Sequence, residues 1–366
     1  MLLRYRRYFA ILSFLLLATP LVAGLVSPDG PGAILKEGRR MAPAPQAPGN
    51  WEGLLALPAQ VDAYLKDRFG LRQKMIRLHT DLTKPVFAKR GNSQVLIGRD
   101  GRMFYQGDEM VRQSAGLVLR EERVSDSADM LASMRDALAR RGTRFLVAVP
   151  PNSSTIYQDD LPLWAQNKGR PTEYDLFLED LAAHGVKAVD LRPALRAVRA
   201  EGPAYRMFDS HWTARGALAA FNAIMEADAH PDWRLDPASA LGSLTPLKGG
   251  DVARILGVVD SVAETDEEFA LRAGKTRKLA PATSQDYEQT SDTPGPTIMI
   301  IGDSFTIEYF APMLMPHAGR VVWMHHQLCG FDWKWIDKLH PDEVWWMPTE
   351  RFLVCNPGAR PLDFAG

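Results

Sequence analysis

The chain has 366 residues, of which 46% are hydrophobic and 24% charged, and its 43 basic residues nearly balance its 44 acidic residues. This composition is typical of a globular protein and excludes a disordered or fibrous chain. The near-neutral charge argues against a nucleic-acid binder, because no excess of cations is present to displace counterions from phosphates. The two cysteines exclude a disulfide-framework fold and a cysteine-rich zinc module.

The amino terminus has the pattern of an export or anchoring segment. Three arginines lie within the first seven residues, and 19 residues without a formal charge follow from Tyr8 to Val26. As a helix this run is about 28 Å long, close to the roughly 30 Å hydrocarbon thickness of a bilayer. The basic flank predicts that the start stays in the cytoplasm and that the rest is exported. Residues 1–26 are therefore interpreted as an uncleaved signal anchor or a cleaved signal peptide, and the Pro/Gly-rich residues 27–50 as a linker.

Export bears on the oxidation state of the two cysteines, Cys329 and Cys355, because an oxidising compartment permits disulfide formation. Each of them follows a predicted strand, and a disulfide between them is feasible if those strands lie side by side. Two interpretations remain open at this point, a disulfide and two buried free thiols.

One domain is predicted over residues 51–366. Apolar residues recur every three or four positions from Trp51 to Lys74 and predict an amphipathic helix. The segment Val95–Tyr105 has an Asp-Gly turn between two apolar runs and predicts a β-hairpin.

Beyond the hairpin, helical spacing alternates with short apolar runs. Helices are predicted at Ser125–Arg141, Thr172–His184 and Ala214–Met225. Strands are predicted at Phe145–Val149, Val186–Val189, Thr297–Ile301, Val321–His325 and Val344–Met347. Continuous apolar strands separated by helices indicate an α/β fold in which helices cover both faces of a parallel sheet. Residues 232–295 are polar and interrupt this alternation, so they are predicted to be an insertion, to which no structure is assigned.

Two motifs, one after a predicted strand and one before the predicted helix Ala214–Met225, suggest nucleophilic catalysis. The strand Thr297–Ile301 leads into Gly302-Asp303-Ser304, which places a hydroxyl at the edge of the sheet where ligands bind in such folds. Asp209 and His211 are two residues apart on an extended segment and therefore point to the same side. A serine hydroxyl is a poor nucleophile until a base takes its proton, and a carboxylate on the other ring nitrogen holds that base in place. The simpler alternative is that the Asp and Ser cap helices and that the His is an ordinary polar residue.

Two further residues are candidates for binding the acyl oxygen or the substrate. Asn152 lies just past a predicted strand and has an amide that can donate a hydrogen bond, although an Asn after two prolines is also a common turn former. Tyr309 lies in the segment that follows Ser304. We expect no metal site, because His317, His325 and His326 have no carboxylate or Cys at ligand-like spacing.

Taken together, these motifs resemble the AlgJ/AlgX family of periplasmic polysaccharide O-acetylation proteins, within the SGNH-hydrolase-like superfamily. The matching stretches are Asp67–Arg72, Leu96–Gly101 with Phe104-Tyr105, Val149–Pro151 with Thr155–Tyr157, Asp209–Thr213, and Gly302–Ser304. The order of these stretches is more specific than any one of them, since Asp-x-His precedes the serine here and typical SGNH hydrolases have the serine first.

The resemblance implies an SGNH-hydrolase-like fold with a Ser304–His211–Asp209 triad that needs no cofactor. It also implies an exopolysaccharide substrate such as alginate, and an integral membrane acyltransferase partner that supplies acetyl groups. The expected location is the periplasm, with the N-terminal helix as an inner-membrane anchor. Two other functions remain open: an acetylesterase with the same triad, and a non-catalytic scaffold whose C-terminal tryptophans (Trp323, Trp333, Trp335, Trp345 and Trp346) bind glycan or fill the core.

Overall fold

The computed structural model describes residues 8–9, 11–15, 18–19, 44–67, 91–228, 230–271, 274–279 and 286–354. It divides into two units, Met1–Pro85 and Val86–Gly366. In the first unit, helix α1 (Trp51–Asp67) confirms the first part of the helix predicted from Trp51. Among the described residues, no helix has both the length and the apolar character needed to cross a bilayer. Most of the predicted anchor (residues 1–26) and the predicted helix beyond Asp67 lie outside the described residues.

The second unit contains the alternating helices and strands. Its strands are β1 (Val95–Ile97), β2 (Met103–Tyr105), β3 (Arg144–Val147), β4 (Leu241–Lys248), β5 (Ala263–Phe269), β6 (Lys275–Lys278), β7 (Tyr287–Thr290), β8 (Thr297–Gly302), β9 (Arg320–His325) and β10 (Glu343–Met347). Its helices are α2 (Met110–Ser114), α3 (Glu121–Arg140), α4 (Ser153–Ile156), α5 (Glu173–Ala183), α6 (Arg192–Ala197), α7 (Ala214–Ala227), α8 (Pro237–Ala240), α9 (Asp251–Leu256), α10 (Ser304–Ile307), α11 (Phe310–Leu314) and α12 (Lys334–Leu339).

The main sheet has six strands in the order β3-β10-β8-β9-β7-β6. The first four are parallel, but β7 is antiparallel to β9 and β6 is antiparallel to β7. The prediction of a purely parallel sheet is therefore wrong, and the sheet is mixed. Only six residues connect β7 to β8, and a parallel crossover needs about a dozen or more. The chain therefore enters the sheet in the antiparallel sense before β8.

The predicted β-hairpin is confirmed, because β1 and β2 pair antiparallel with Leu96 opposite Phe104. Its turn has Asp100 at φ 54° and Gly101 at φ 83°, the left-handed conformations that an Asp-Gly pair tolerates. The prediction of a strand at Val186–Val189 is wrong. The chain there touches the edge of β3 through a single bridge between Ala188 and Val147, and then turns into α6.

Apolar side chains of the sheet alternate between two hydrophobic clusters, as the strand period requires. In β8, Ile298 and Ile300 pack on the face covered by α7 and α11, whereas Met299 and Ile301 pack on the face covered by α3, α5 and α12. Helices therefore cover both faces, as predicted. All five C-terminal tryptophans are buried in these clusters, so none of them offers an open ring face for stacking on a sugar.

A fully buried carboxyl group, that of Glu350, lies past the end of strand β10. It accepts hydrogen bonds from the Asn152 N–H at 2.7 Å and from the Thr155 hydroxyl at 2.7 Å. Burial raises the pKa of Glu350 to about 7, because the protein interior disfavours the charged form of the carboxyl group.

A second buried carboxylate, Glu173 at the start of α5, connects to the same region through Gln113. The Gln113 amide donates to Glu173 Oε2 at 2.8 Å and to the backbone oxygen of Glu350 at 3.0 Å. Arg120 donates to both carboxylate oxygens of Glu173, at 2.7 and 2.6 Å. Burial alone would raise the pKa of Glu173, but the Arg120 hydrogen bonds outweigh it and lower that pKa. This chain of contacts joins α5 to the carboxyl edge of the sheet.

We predict that Arg120→Met lowers the free energy of unfolding by about 3 kcal/mol, because it leaves the charge of Glu173 buried without its partner. Urea denaturation of the purified protein measures this change. The matched control is Arg112→Met, which removes an exposed partner of Glu109 and should cost less than ~1 kcal/mol. Equal costs for the two variants would contradict the prediction.

A second prediction concerns Glu350. Its folded pKa is above its ordinary value, so its contribution to stability is greatest at low pH and is lost as the pH rises through about 7. Glu350→Gln cannot ionise, so between pH 5 and pH 8 its unfolding free energy should rise relative to wild type by on the order of 2 kcal/mol. Urea denaturation across this range provides the measurement. Glu268→Gln, at an exposed position, serves as the control. A difference in unfolding free energy between Glu350→Gln and wild type that stays constant with pH would refute the prediction.

Candidate active site

Ser304 lies at the carboxyl edge of the sheet, as the sequence predicts. Strand β8 ends at Gly302, and the exposed Ser304 is the first residue of α10. Gly302 has no room for a side chain, because a Cβ atom there would lie 2.3 Å from the Thr306 hydroxyl oxygen. The turn between strand and helix is therefore tight, and it directs the Ser304 side chain to solvent while its neighbours are buried.

The buried carboxylate of Asp303 stabilises this turn through hydrogen bonds. Its Oδ1 accepts the N–H of Phe305 at 3.0 Å, and its Oδ2 accepts the N–H and the hydroxyl of Thr349 at 2.9 and 2.5 Å. Burial would raise the pKa of Asp303, but the nearby guanidinium of Arg351 and the Thr349 hydrogen bonds lower it. The carboxylate of the Gly-Asp-Ser motif thus ties the end of β8 to the segment after β10.

The structure brings the three residues of the predicted triad together. The Ser304 Oγ lies 2.8 Å from Nε2 of His211, and Nδ1 of His211 lies 2.6 Å from Oδ1 of Asp209. Asp209 Oδ1 also accepts the backbone N–H of His211 at 2.9 Å, which fixes the short segment between them. Hydroxyl, imidazole and carboxylate therefore form one continuous hydrogen-bonded row that ends at solvent.

Aromatic packing explains why residues far apart in sequence meet here. The indole of Trp212 donates to the backbone oxygen of Phe305 at 2.9 Å, and its ring packs against Phe305 and Phe310. The Phe305 ring also lies 4.7 Å from the His211 ring, measured between centroids. Because Trp212 follows His211 and Phe305 follows Ser304, these buried contacts place the imidazole and the hydroxyl side by side.

The electrostatics of the row favour a charged imidazole. Burial alone would raise the pKa of Asp209, but its hydrogen bonds and charge contact with His211 lower it far below the ordinary value. Burial alone would lower the pKa of His211, but the carboxylates of Asp209 and Asp251 outweigh it and raise that pKa. A proton taken from Ser304 would therefore be stabilised on His211.

The segment 232–295, predicted to be an insertion, contributes several contacts to the site. Glu264 of β5 accepts the N–H of Met207 at 2.6 Å, and Asp266 of β5 pairs with Arg206 at 3.0 Å. Asp251 of α9 approaches Asp209 and His211 directly. These residues were not predicted from the sequence, in which the pair Gly249-Gly250 before Asp251 is a local signal for a close backbone approach.

The two candidate oxyanion residues are both engaged elsewhere. Asn152 is fully buried, and its amide donates to Gln113 Oε1 at 3.1 Å. The hydroxyl of the buried Tyr309 accepts a hydrogen bond from Arg206 at 2.9 Å. A role for either residue in holding substrate stays a prediction. Ser304 itself provides a backbone N–H in the first turn of α10, where the amides have no helical acceptor.

Residues after β9 lie near this edge of the sheet. His326 is buried, and burial lowers its pKa to about 4, so the ring is neutral at physiological pH. Cys329 is disulfide-bonded, and Cys355, the other cysteine of the sequence, lies outside the described residues.

Two groups of acidic and histidine side chains, among the residues that the structure describes, are close enough to share a metal ion. In the first, Asp209 accepts hydrogen bonds from His211 and from the backbone N–H of Asp251, and the Asp251 carboxylate accepts from Ser210. The second group, at Asp228, His230 and Glu343, is ion-paired with lysine and arginine side chains. These partners already occupy the ligand atoms, so neither group is interpreted as a metal centre.

The arrangement of Ser304, His211 and Asp209 has the parts required for covalent acyl transfer. The hydroxyl is exposed, its proton has an acceptor within hydrogen-bond distance, and the acceptor is oriented by a carboxylate. A backbone N–H at the start of α10 is available to stabilise a negative oxygen.

Comparison with known proteins identifies relatives of this chain. Two curated proteins named probable alginate O-acetylase AlgJ are similar, with 27% identity over 168 residues in Pseudomonas putida and 25% over 162 residues in Pseudomonas syringae pv. tomato. Each match covers 43% of this chain, and the matches span 41% and 39% of the relatives' own lengths, so the chain aligns with about two fifths of either relative.

A solved structure and a family match extend the comparison. A DHHW family protein from Eubacterium siraeum superposes with a TM-score of 0.53 at 14% identity, over 72% of this chain and 93% of that chain, which shows the fold. Residues 95–346 match the family described as the SGNH hydrolase-like domain of acetyltransferase AlgX. The chain therefore belongs to that family.

Proposed function

We propose that this chain transfers acetyl groups to hydroxyl groups of an exported polysaccharide through an acetyl-serine intermediate on Ser304. The observation that carries the proposal is the hydrogen-bonded row from the exposed Ser304 hydroxyl through His211 to Asp209. Membership in a family described as an acetyltransferase domain supports acyl transfer as the reaction.

In the first half of the proposed reaction, His211 Nε2 takes the proton of Ser304 as Oγ attacks the carbonyl carbon of an acetyl donor. The carbonyl oxygen becomes negative, and the Ser304 N–H stabilises it. One such donor typically lowers the barrier by about 2.7–4 kcal/mol. The bond to the leaving group then breaks, the leaving group takes the proton from His211, and the acetyl group stays on Ser304.

In the second half, a sugar hydroxyl replaces the leaving group. His211 takes the proton of the sugar hydroxyl while the sugar oxygen attacks the carbonyl carbon of the acetyl-serine. The bond from that carbon to the Ser304 oxygen then breaks, and the Ser304 oxygen takes the proton from His211. Asp209 stays ionised throughout, which its strongly lowered pKa favours. It stabilises the imidazolium that forms in each half.

The acceptor and the surroundings of the reaction are inferred from the relatives. Those relatives are named as alginate O-acetylases, so we propose a polysaccharide of the alginate type as acceptor. The basic and apolar N-terminus supports a periplasmic location with an inner-membrane anchor. An integral membrane acyltransferase would then supply the acetyl group across the membrane.

We predict that Ser304→Ala and His211→Gln each lower the turnover of an activated acetyl ester by about 10³-fold or more, because each removes a part that acts only with the others. Stopped-flow release of the chromophoric leaving group measures the acylation step. Ser133→Ala is the matched control, because Ser133 is an exposed serine on α3 whose hydroxyl donates to a helical carbonyl. Retention of turnover in Ser304→Ala would exclude the proposed nucleophile.

The identity of the acceptor decides between transferase and esterase. With an activated acetyl ester and oligouronates, the proposed function predicts acetylated oligouronate by mass spectrometry, absent with Ser304→Ala. Release of acetate alone, with no acetylated sugar at any oligouronate concentration, would show an esterase that uses the same three residues.

A further inference from the structure

Asp251 is a second acidic residue beside the proposed triad, and it comes from the segment that interrupts the α/β alternation. Its backbone N–H donates to Oδ2 of Asp209 at 2.9 Å. Its carboxylate accepts the backbone N–H of Ser210 at 2.7 Å and the Ser210 hydroxyl at 2.5 Å. The same carboxylate lies 3.7 Å from Nδ1 of His211. One residue thus contacts all three members of the segment 209–211.

The preceding glycines allow this approach. A Cβ atom at Gly250 would lie 2.1 Å from Oδ2 of Asp209, a distance that real Cβ atoms do not adopt. At Gly249 a Cβ atom would lie 2.5 Å from a methyl group of Val262. Neither glycine needs a left-handed backbone, so close packing is the reason for both. The backbone over the Asp209 carboxylate is therefore fitted to that carboxylate.

We propose that Asp251 is a positioning residue of the active site, which holds Asp209 and Ser210 in place and presents a second carboxylate to the Nδ1 side of His211. This proposal rests on the proposed function, because it assigns Asp251 a role in the proton transfer between Ser304 and His211. It extends the working site from three residues to the unit Asp209-Ser210-His211 with Gly250-Asp251.

Among the residues that the structure describes, three charged groups face His211 from the elements packed around it. Asp209 belongs to its own segment, Asp251 to α9, and Arg351 to the short 3-10 helix Glu350–Phe352 after β10. The two carboxylates raise the pKa of His211, whereas burial and the Arg351 guanidinium lower it. Without Asp251, Asp209 alone opposes burial and Arg351, so the pKa of His211 must fall.

The test is Asp251→Asn, which keeps the size of the side chain and removes its charge. We expect the pKa of His211 to fall by about one pH unit. The pKa is measured by an NMR pH titration of the imidazole ring protons in histidine-labelled protein. The His211 signal is assigned as the one that is missing from the spectrum of His211→Gln. The acidic limb of kcat/KM for an activated acetyl ester should move to lower pH by the same amount. The value of kcat at the plateau should fall about 10- to 100-fold, because His211 is held less firmly.

Ser210→Ala separates charge from the hydrogen bond. It keeps the Asp251 carboxylate, so the pKa of His211 should remain near that of wild type. If Asp251→Asn does not fold, Asp251→Ser replaces it, because the serine oxygen can still accept the Ser210 N–H. A folded charge-removed variant with an unchanged pKa of His211 would overturn the proposal.

The NMR titration needs no turnover, so it distinguishes failure of this proposal from failure of the proposed function. If the wild type is inactive but Asp251→Asn shifts the titration of His211, the proposed acetyl transfer is refuted. The role of Asp251 beside His211 is then still supported. Gly250→Ala tests the fit of the backbone, and we expect it to lower kcat about 100-fold or more. Its control is Gly242→Ala in β4, where a Cβ atom would lie 3.3 Å from its nearest neighbour. Equal activity in the two glycine variants would argue against a fitted backbone.

Discussion

Asp209 carries a carboxylate that is mostly buried, and burial of a charge costs free energy unless hydrogen bonds replace the lost water. Three N–H groups supply those bonds: the backbone and Nδ1 of His211, and the backbone of Asp251. Two of them belong to the residue that the carboxylate orients, and the third comes from a segment some forty residues later in the chain. The orientation of the imidazole therefore depends on folding of the antiparallel hairpin β4–β5 and of α9 between its strands.

The position of Ser304 depends on a second buried carboxylate, that of Asp303. Strand β10 lies between β3 and β8, so the segments after these strands meet at one edge of the sheet. Thr349, after β10, donates twice to Asp303, and Glu350 beside it accepts from Asn152, after β3. Hydrogen bonds therefore join the segment after β10 to the segment after β8 on one side and to the segment after β3 on the other. Buried polar groups that are satisfied in this way favour one arrangement of the loops over others.

Much of the fold follows from local patterns in the sequence. Buried parallel strands are continuous apolar runs, so β8, β9 and β10 were predictable. The Gly-Asp-Ser motif after β8 indicated Ser304, and the Asp-x-His motif before α7 indicated His211. Strands β6 and β7 were not predictable, because Lys275–Lys278 is charged and exposed and Tyr287–Thr290 is polar. Asp251 gave no periodic signal, since its importance arises from a contact with Asp209 that only the folded chain creates. Local sequence encodes the elements, whereas contacts between distant residues complete the site.

Within the described part of the chain β6 is the outermost strand of the main sheet, which has a further consequence for the behaviour of the protein at high concentration. An open sheet edge offers unpaired backbone groups to a strand of another molecule, which is a common start of aggregation. Here that edge has the sequence Lys-Thr-Arg-Lys, with every side chain exposed. Lys275 pairs with Asp292 and Arg277 with Glu288 within the molecule, so a strand from a second copy would meet ion-paired charges along this edge. Covering these charged groups costs free energy, which disfavours the joining of two sheets at this edge.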